Sequence, residues 1–366
     1  MMKALRDITE AGTSIWLDDL SRERLAGSLA QYISQYEIRG VTTNPAIFSA
    51  AISGSDLYRE DIKRLAATGL ESDKIIEELT TDDVRRACDL FEDLFHSSGG
   101  VDGRVSIEVD PALARNTEET ISEGLSLQRK VDRHNLLVKV PATKEGLSAI
   151  TRLTEAGVSV NITLIFSLSR YREVIDAYAQ GLERRLIRGE DISQIHSVAS
   201  FFVSRVDTEV DARLAAMDEK SGALKLKGQA AVANAVLAYR LFEEESASDR
   251  WKRLTKSGAN LQRPLWASTG VKDPAYRATL YVDSLVAPNT VNTMPDATLK
   301  ASALLTGLTE RPIQDRYQES DEVLLSLSER GINLEEVAVK LEDEGLKKFL
   351  DPWVALGESV KSVMRS

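Results

Sequence analysis

The stretch Leu136-Leu137-Val138-Lys139-Val140-Pro141-Ala142-Thr143 sets one lysine inside an apolar, β-branched run short enough to be a buried parallel strand. Pro141 ends the strand, Thr143 is placed to cap the next helix, and Leu147, Ile150 and Leu153 keep a helical spacing until Gly157 stops it. Lys139 therefore stands at the carboxyl end of a strand, entering a βα loop. A buried ammonium is costly unless paired, and lysines in such places respond by giving up the proton. A neutral amine is a nucleophile toward carbonyl carbon. The alternative is a lysine paired with a carboxylate inside the core, and the neighbouring strands have to decide.

Short β-rich segments alternate with amphipathic helical stretches along most of the chain, the pattern of a parallel sheet with crossover helices. Eight strands are predicted, at 14–18, 40–44, 104–110, 136–140, 158–166, 197–205, 264–268 and 281–286. Eight βα units point to a closed barrel, with a doubly wound open sheet as the runner-up. Asn116 with Glu119 resembles a capping box, and Ser169 precedes a helical run through Tyr171, Val174, Tyr178 and Leu182. Two connections exceed the minimum: 57–97 predicts two or three helices and 207–262 predicts two. From Pro295 onward the pattern is helical, and periodicity alone does not say what that extension covers. The expected fold is α/β: a single (β/α)8 TIM-barrel domain over 1–366, with the barrel at about 14–295, extra helices in the βα connections and a helical extension at about 296–366.

Alternate residues of a strand point to opposite faces. In 104–110, Val105, Ile107 and Val109 oppose Ser106, Glu108 and Asp110; in 158–166, Val160, Ile162 and Leu164 oppose Asn161 and Thr163. Ile15 and Leu17 oppose Ser14, Trp16 and Asp18, while Val41 and Thr43 oppose Thr42 and Asn44. In 197–205, Ser200, Phe202 and Ser204 lie opposite Ala199, Phe201 and Val203. With the apolar faces against the helix ring, the lumen is lined by Asp18, Asn44, Glu108, Lys139, Asn161, Thr163 and Ser200. Barrel interiors are ordinarily filled by Val, Ile and Leu, so this polar set near the carboxyl ends points to an active site. An amine, a nearby carboxylate and groups able to hold hydroxyls are what carbonyl chemistry through a Schiff base requires, with Asp18 and Glu108 as candidates for proton transfer. Lys144, in the first turn of a helix, lacks the apolar strand flanks of Lys139.

Composition narrows the partners. The 366 residues are 43% hydrophobic, enough for a large core, and carry a net charge of −11 with no basic stripe, which argues against nucleic acid. Small anionic substrates need only one or two local cations. The opening Met1-Met2-Lys3-Ala4-Leu5-Arg6-Asp7 lacks the apolar core of a signal peptide, and no apolar run approaches the ~20 residues of a membrane span, so a soluble cytoplasmic protein is expected. Cys88, the one cysteine, sits in the helical core pattern Val84, Ala87, Cys88, Phe91. His96, His134 and His196 are scattered without metal-ligand spacing, so no metal is expected, although carboxylates alone could hold magnesium.

The motifs together resemble transaldolase, an enzyme family of the class I aldolase type acting in the pentose phosphate pathway. They are Gly40-Val41-Thr42-Thr43-Asn44-Pro45, Val105-Ser106-Ile107-Glu108-Val109-Asp110, Leu137 through Thr143, Asn161-Ile162-Thr163-Leu164-Ile165-Phe166-Ser167 and Ser200-Phe201-Phe202-Val203-Ser204-Arg205. The long chain with decorated loops is similar to the larger bacterial form. The resemblance implies Lys139 as the Schiff-base lysine and Asp18 as the acid/base at the C4 hydroxyl. Glu108 and Thr163 would hold a water that shuttles protons, Asn44 and Asn161 would bind dihydroxyacetone hydroxyls, and Ser200, Phe202 and Arg205 match substrate-binding positions, with Ser200 and Arg205 near the phosphate. It implies sugar phosphate substrates, no cofactor, and a monomer or homodimer. One departure stands in Trp266-Ala267-Ser268-Thr269-Gly270-Val271-Lys272, where some members carry a second phosphate-binding arginine; Ser268 and Lys272 are the substitutes at hand. Two rival readings are a fructose 6-phosphate aldolase that releases free dihydroxyacetone, in which Gln and Tyr are expected at positions 108 and 202, and a catalytically dead scaffold.

Overall fold

Every residue of Leu136–Pro141 is buried, as a run with strands on both flanks and helices outside requires. In the computed structural model, which describes residues 3–217, 222–308 and 311–365, this is the fourth of eight parallel strands that close a barrel in sequence order. The strands are β1 (Thr13–Asp18), β2 (Gly40–Thr42), β3 (Arg104–Glu108), β4 (Leu136–Pro141), β5 (Val160–Ile165), β6 (Ser197–Phe202), β7 (Gln262–Ala267) and β8 (Thr290–Met294). The closed ring displaces the open-sheet alternative. Met1, Met2 and Ser366, at the two ends of the expected domain, lie outside the described residues.

Register sets the chemistry. Glu108 of β3 pairs across from Lys139 of β4, Lys139 from Asn161 of β5, and Pro141 from Thr163. On β1 and β2, Asp18 faces Thr42. The N-terminal mouth is closed by Asp102 between Arg39 at 3.3 Å and Arg263 at 3.2 Å.

Several strand expectations are corrected. The segment 281–286 is not a strand: Leu280–Asp283 is a short helix, with the Tyr281 hydroxyl donating to Asp207 at 2.7 Å, and β8 lies at Thr290–Met294 instead. The apolar run is taken up by packing on β7, where Trp266 Nε1 donates to the Leu285 carbonyl at 2.9 Å. Three strands end early because a side chain caps the next element or a helix begins there. Asn44 accepts from Ile47 N at the start of helix Pro45–Ser53, and Asp110 accepts from Ala112 N. Ser204, expected in a strand, opens helix Ser204–Ala215 and carries Arg205 in its first turn. Ser167, not Ser169, caps helix Leu168–Ile187, whereas Asn116 caps Thr117–Val131 as expected.

β5 carries a register shift between Ile162 and Ile165, with Leu164 at a φ of 61°. Leu164, expected on the outer face beside Ile162, is therefore turned against Gly345 of the C-terminal helix Leu334–Met364. That helix also packs on Pro45–Ser53 and Ser204–Ala215, so it crosses the carboxyl-end mouth of the barrel. Asn333 caps it, and Lys340 reaches Glu209 at 2.6 Å. The long second connection holds Arg59–Ala66, Ser72–Leu90 and Glu92–Ser97, and the sixth holds Ala230–Ser246 and Asp249–Lys256 beyond Ser204–Ala215.

The βα turn after Lys139 is tight. Gly146 N donates to Thr143 Oγ1 at 2.9 Å, and a Cβ on Gly146 would stand 2.0 Å from the Pro141 carbonyl oxygen. Gly146→Ala is expected to cost about 2–3 kcal/mol in denaturant titration. A loss under ~0.5 kcal/mol would mean the turn has room this packing denies it.

Candidate active site

Lys139 Nζ donates to the Thr43 carbonyl at 2.9 Å and stands 3.2 Å from Glu108 Oε2, with only 6% and 3% of the two side chains exposed. The core-pair alternative and the nucleophile reading thus meet in one geometry, a lysine that is both paired and at the edge of a cavity. Burial pushes the Glu108 carboxyl up to about 7, with the Lys139 charge opposing the shift. The carboxylate meets the ammonium as an ion pair without an aligned hydrogen bond. Both Glu108 oxygens and Thr163 Oγ1 are buried with no hydrogen-bond partner among the described residues.

Asp18 stands across the lumen. Its Oδ1 accepts from Thr42 Oγ1 at 2.7 Å, and Thr42 in turn is 2.6 Å from Thr293 Oγ1. Since the Thr42 proton goes to Asp18, Thr293 supplies the proton of the second bond. Burial raises the Asp18 carboxyl above its ordinary value, against the pull of Lys139 and Thr42.

A cavity of about 180 Å³ opens above these groups, lined by Asp18, Asn44, Lys139, Thr163, Ser200, Phe202, Arg205, Ser268 and Lys272 among the residues singled out from sequence. Glu108 and Asn161 lie behind its wall. Asn161 donates to Ser106 Oγ at 3.0 Å and accepts from Ser200 Oγ at 2.7 Å, so its amide is spent on positioning Ser200. Asn44 uses its oxygen on the helix cap and offers the cavity its amide nitrogen.

The far wall is cationic. The Arg205 guanidinium lies over the Phe202 ring at 5.1 Å, and its buried Nη1 has no hydrogen-bond partner among the described residues. Lys272, exposed on the loop after β7, reaches the same cavity, and Ser268 sits at a φ of 56° with its hydroxyl 2.9 Å from Ser204 Oγ. An anion entering here meets Arg205 and Lys272 whatever the global charge.

Three residues at the site escaped the sequence reading. Thr42 already shared the lumen face with Asn44, so its signal was present. Thr293 lies outside the expected eighth strand at 281–286. Phe349, on the C-terminal helix, lies with its ring 5.5 Å from Lys139 Nζ, and nothing local marks it. Cys88 is buried in Ser72–Leu90, as a core cysteine.

Residues 15–360 match the family described as Transaldolase/Fructose-6-phosphate aldolase. The chain belongs to this family. A transaldolase of Saccharopolyspora erythraea is 54% identical over 358 residues, 98% of this chain and 96% of its own length. Transaldolases of Renibacterium salmoninarum and Mycolicibacterium smegmatis are each 53% identical, over 98% and 96% of this chain and 96% and 95% of their own lengths. The chain is thus an enzyme of the transaldolase family, a transferase on a TIM barrel. Among the described residues, no helix is long and apolar enough to cross a membrane.

The Glu108 shift has a sign that can be measured. Between its ordinary 4.5 and about 7 the native state keeps a proton the unfolded chain has lost, so stability falls as pH rises through that window. Glu108→Gln is expected to lack that decline, so that from pH 5 to pH 7.5 the wild type loses more unfolding free energy than the variant. Equal changes would mean that Glu108 titrates at its ordinary value.

Proposed function

We propose that this transaldolase takes a dihydroxyacetone unit from sedoheptulose 7-phosphate or fructose 6-phosphate and passes it to glyceraldehyde 3-phosphate or erythrose 4-phosphate through a Schiff base on Lys139. The observation that carries the reading is Lys139, paired with Glu108, on the lining of a cavity that also presents Asp18 and Arg205. With its ammonium proton passed to the Glu108 carboxylate beside it, Lys139 Nζ adds to the ketose carbonyl carbon, and loss of water leaves an iminium. Glu108, held near neutrality, and Thr163, its hydroxyl unpartnered, are suited to hold the water through which protons move in that step and its reversal.

Asp18 then takes the C4 hydroxyl proton as the C3–C4 bond breaks. The bond's electron pair passes into the iminium, giving an enamine, and the aldose leaves. The acceptor aldehyde enters, the enamine carbon adds to it, Asp18 returns the proton, and hydrolysis frees Lys139. Arg205, with Lys272 and Ser268, holds the phosphate of donor and acceptor, and Asn44 and Ser200 bind hydroxyls, with Asn161 fixing Ser200. No metal or cofactor has a step to perform. The enzyme works in the cytoplasm as a monomer or homodimer, as one domain whose C-terminal helix completes the mouth of the barrel. Glu108 and Phe202 favour transfer over the aldolase reading, in which Gln and Tyr stand at these positions.

Activity is tested by monitoring transfer from fructose 6-phosphate to erythrose 4-phosphate. Full turnover is expected in excess chelator, and Lys139→Ala is expected to fall to background while keeping its fold. Turnover surviving in Lys139→Ala would remove the Schiff base from the account, and loss of all turnover to chelator would remove the metal-free mechanism.

A further inference from the structure

The C-terminal helix brings one aromatic side chain to the reacting amine. Phe349 is 4% exposed, lines the cavity, and its ring centroid is 5.5 Å from Lys139 Nζ. One turn earlier, Gly345 lets the helix approach so closely that a Cβ there would stand 2.9 Å from Leu164 Cδ2 and 3.3 Å from Arg205 Nη1. Leu164 is delivered to that contact by its own left-handed backbone at the bulge of β5, and Lys340–Glu209 and Arg115–Asp343 tie the helix down. The bond-breaking chemistry on Lys139 uses no aromatic group at this place. A ring above the amine does have a physical consequence: it covers the nitrogen and the carbon bonded to it with a surface that offers water no hydrogen bond.

The three-carbon enamine has two fates once the first aldose has left. In one, its nucleophilic carbon adds to an acceptor aldehyde. In the other, that carbon takes a proton, the iminium so formed takes water at the carbonyl carbon, the carbon–nitrogen bond breaks, and dihydroxyacetone leaves with Lys139 restored as the amine. The second fate is favoured when bulk solvent fills the space the aldose vacated. The final hydrolysis of the transfer product needs only the single water assigned to Glu108 and Thr163, which flank Lys139 on the neighbouring strands. We propose that Phe349 is a positioning residue that keeps bulk solvent off the enamine and so sets the partition in favour of transfer over release. This rests on Lys139 as the Schiff-base residue.

The test is the ratio of dihydroxyacetone release without acceptor to transfer with erythrose 4-phosphate, both from fructose 6-phosphate. Phe349→Ala is expected to raise the ratio about tenfold or more. Phe349→Gln, closer in volume but polar, is expected to raise it too and carries the test if the alanine variant does not fold. Phe349→Met, which keeps an apolar cover, is expected to stay near the wild-type ratio. An unchanged ratio in a folded Ala or Gln variant that still adds the three-carbon unit to Lys139 overturns the proposal. A wild type that neither releases nor transfers overturns the Schiff-base reading itself, and the proposal with it.

Discussion

The buried ion pair of Lys139 and Glu108 is the constraint on which the rest of the lumen depends. Each charge taken alone into a protein interior costs several kcal/mol, and the pair is tolerable only while the partners stay opposed. Their opposition is a matter of register, Glu108 on β3 directly across from Lys139 on β4. A slip of one residue in either strand would turn that strand's charged side chain toward the helix ring, on the face where Val105, Ile107, Val138 and Val140 now pack. The apolar faces of β3 and β4 thus hold the register, and the register holds the amine at the cavity.

The polar lumen divides into groups that are satisfied by the protein and groups that are not. Thr293, Thr42 and Asp18 form one hydrogen-bonded chain, and Ser106, Asn161 and Ser200 form another. These fix geometry and remove desolvation penalties. Glu108, Thr163 and Arg205 keep buried polar atoms without hydrogen-bond partners among the described residues, and all three border or back the cavity. Other buried polar atoms, such as Arg104 Nη2 and Tyr171 Oη, also lack partners elsewhere in the fold, but those of Glu108, Thr163 and Arg205 are the ones a substrate and its water could complete. Positive φ at Leu164 and Ser268 adds backbone strain at the same mouth.

Much of this was legible because a strand alternates. The inward polar residues of β1, β3 and β5 declared themselves against Val, Ile and Leu neighbours, which placed Asp18, Glu108, Asn161 and Thr163 in the lumen. Strand eight did not obey that logic. In Thr290-Val291-Asn292-Thr293-Met294 the faces are mixed: Val291 and Thr293 share the lumen face with Ser14 and Trp16, while Thr290 and Asn292 lie on the outward face with Met294, where Asn292 Nδ2 donates to the Tyr281 carbonyl. No apolar stripe therefore marks the strand, and 281–286 is the more apolar run. Arg205 was read in a strand although its backbone is helical, an error without effect on its side chain because the end of β6 and the start of the next helix lie at the same mouth. Phe349 depends on a contact across more than two hundred residues of chain. Periodicity identifies the apolar face of a helix but not what that face meets.

The central claim is that Lys139 forms the covalent bond to the substrate. It is tested most directly by borohydride reduction in the presence of fructose 6-phosphate without acceptor, with intact mass and peptide mapping as the readout. The account requires a stable adduct of the mass of a reduced dihydroxyacetone unit on the peptide holding Lys139, absent when the ketose is left out. A folded enzyme that turns over the ketose yet carries no adduct, or carries it on another lysine, would contradict the account.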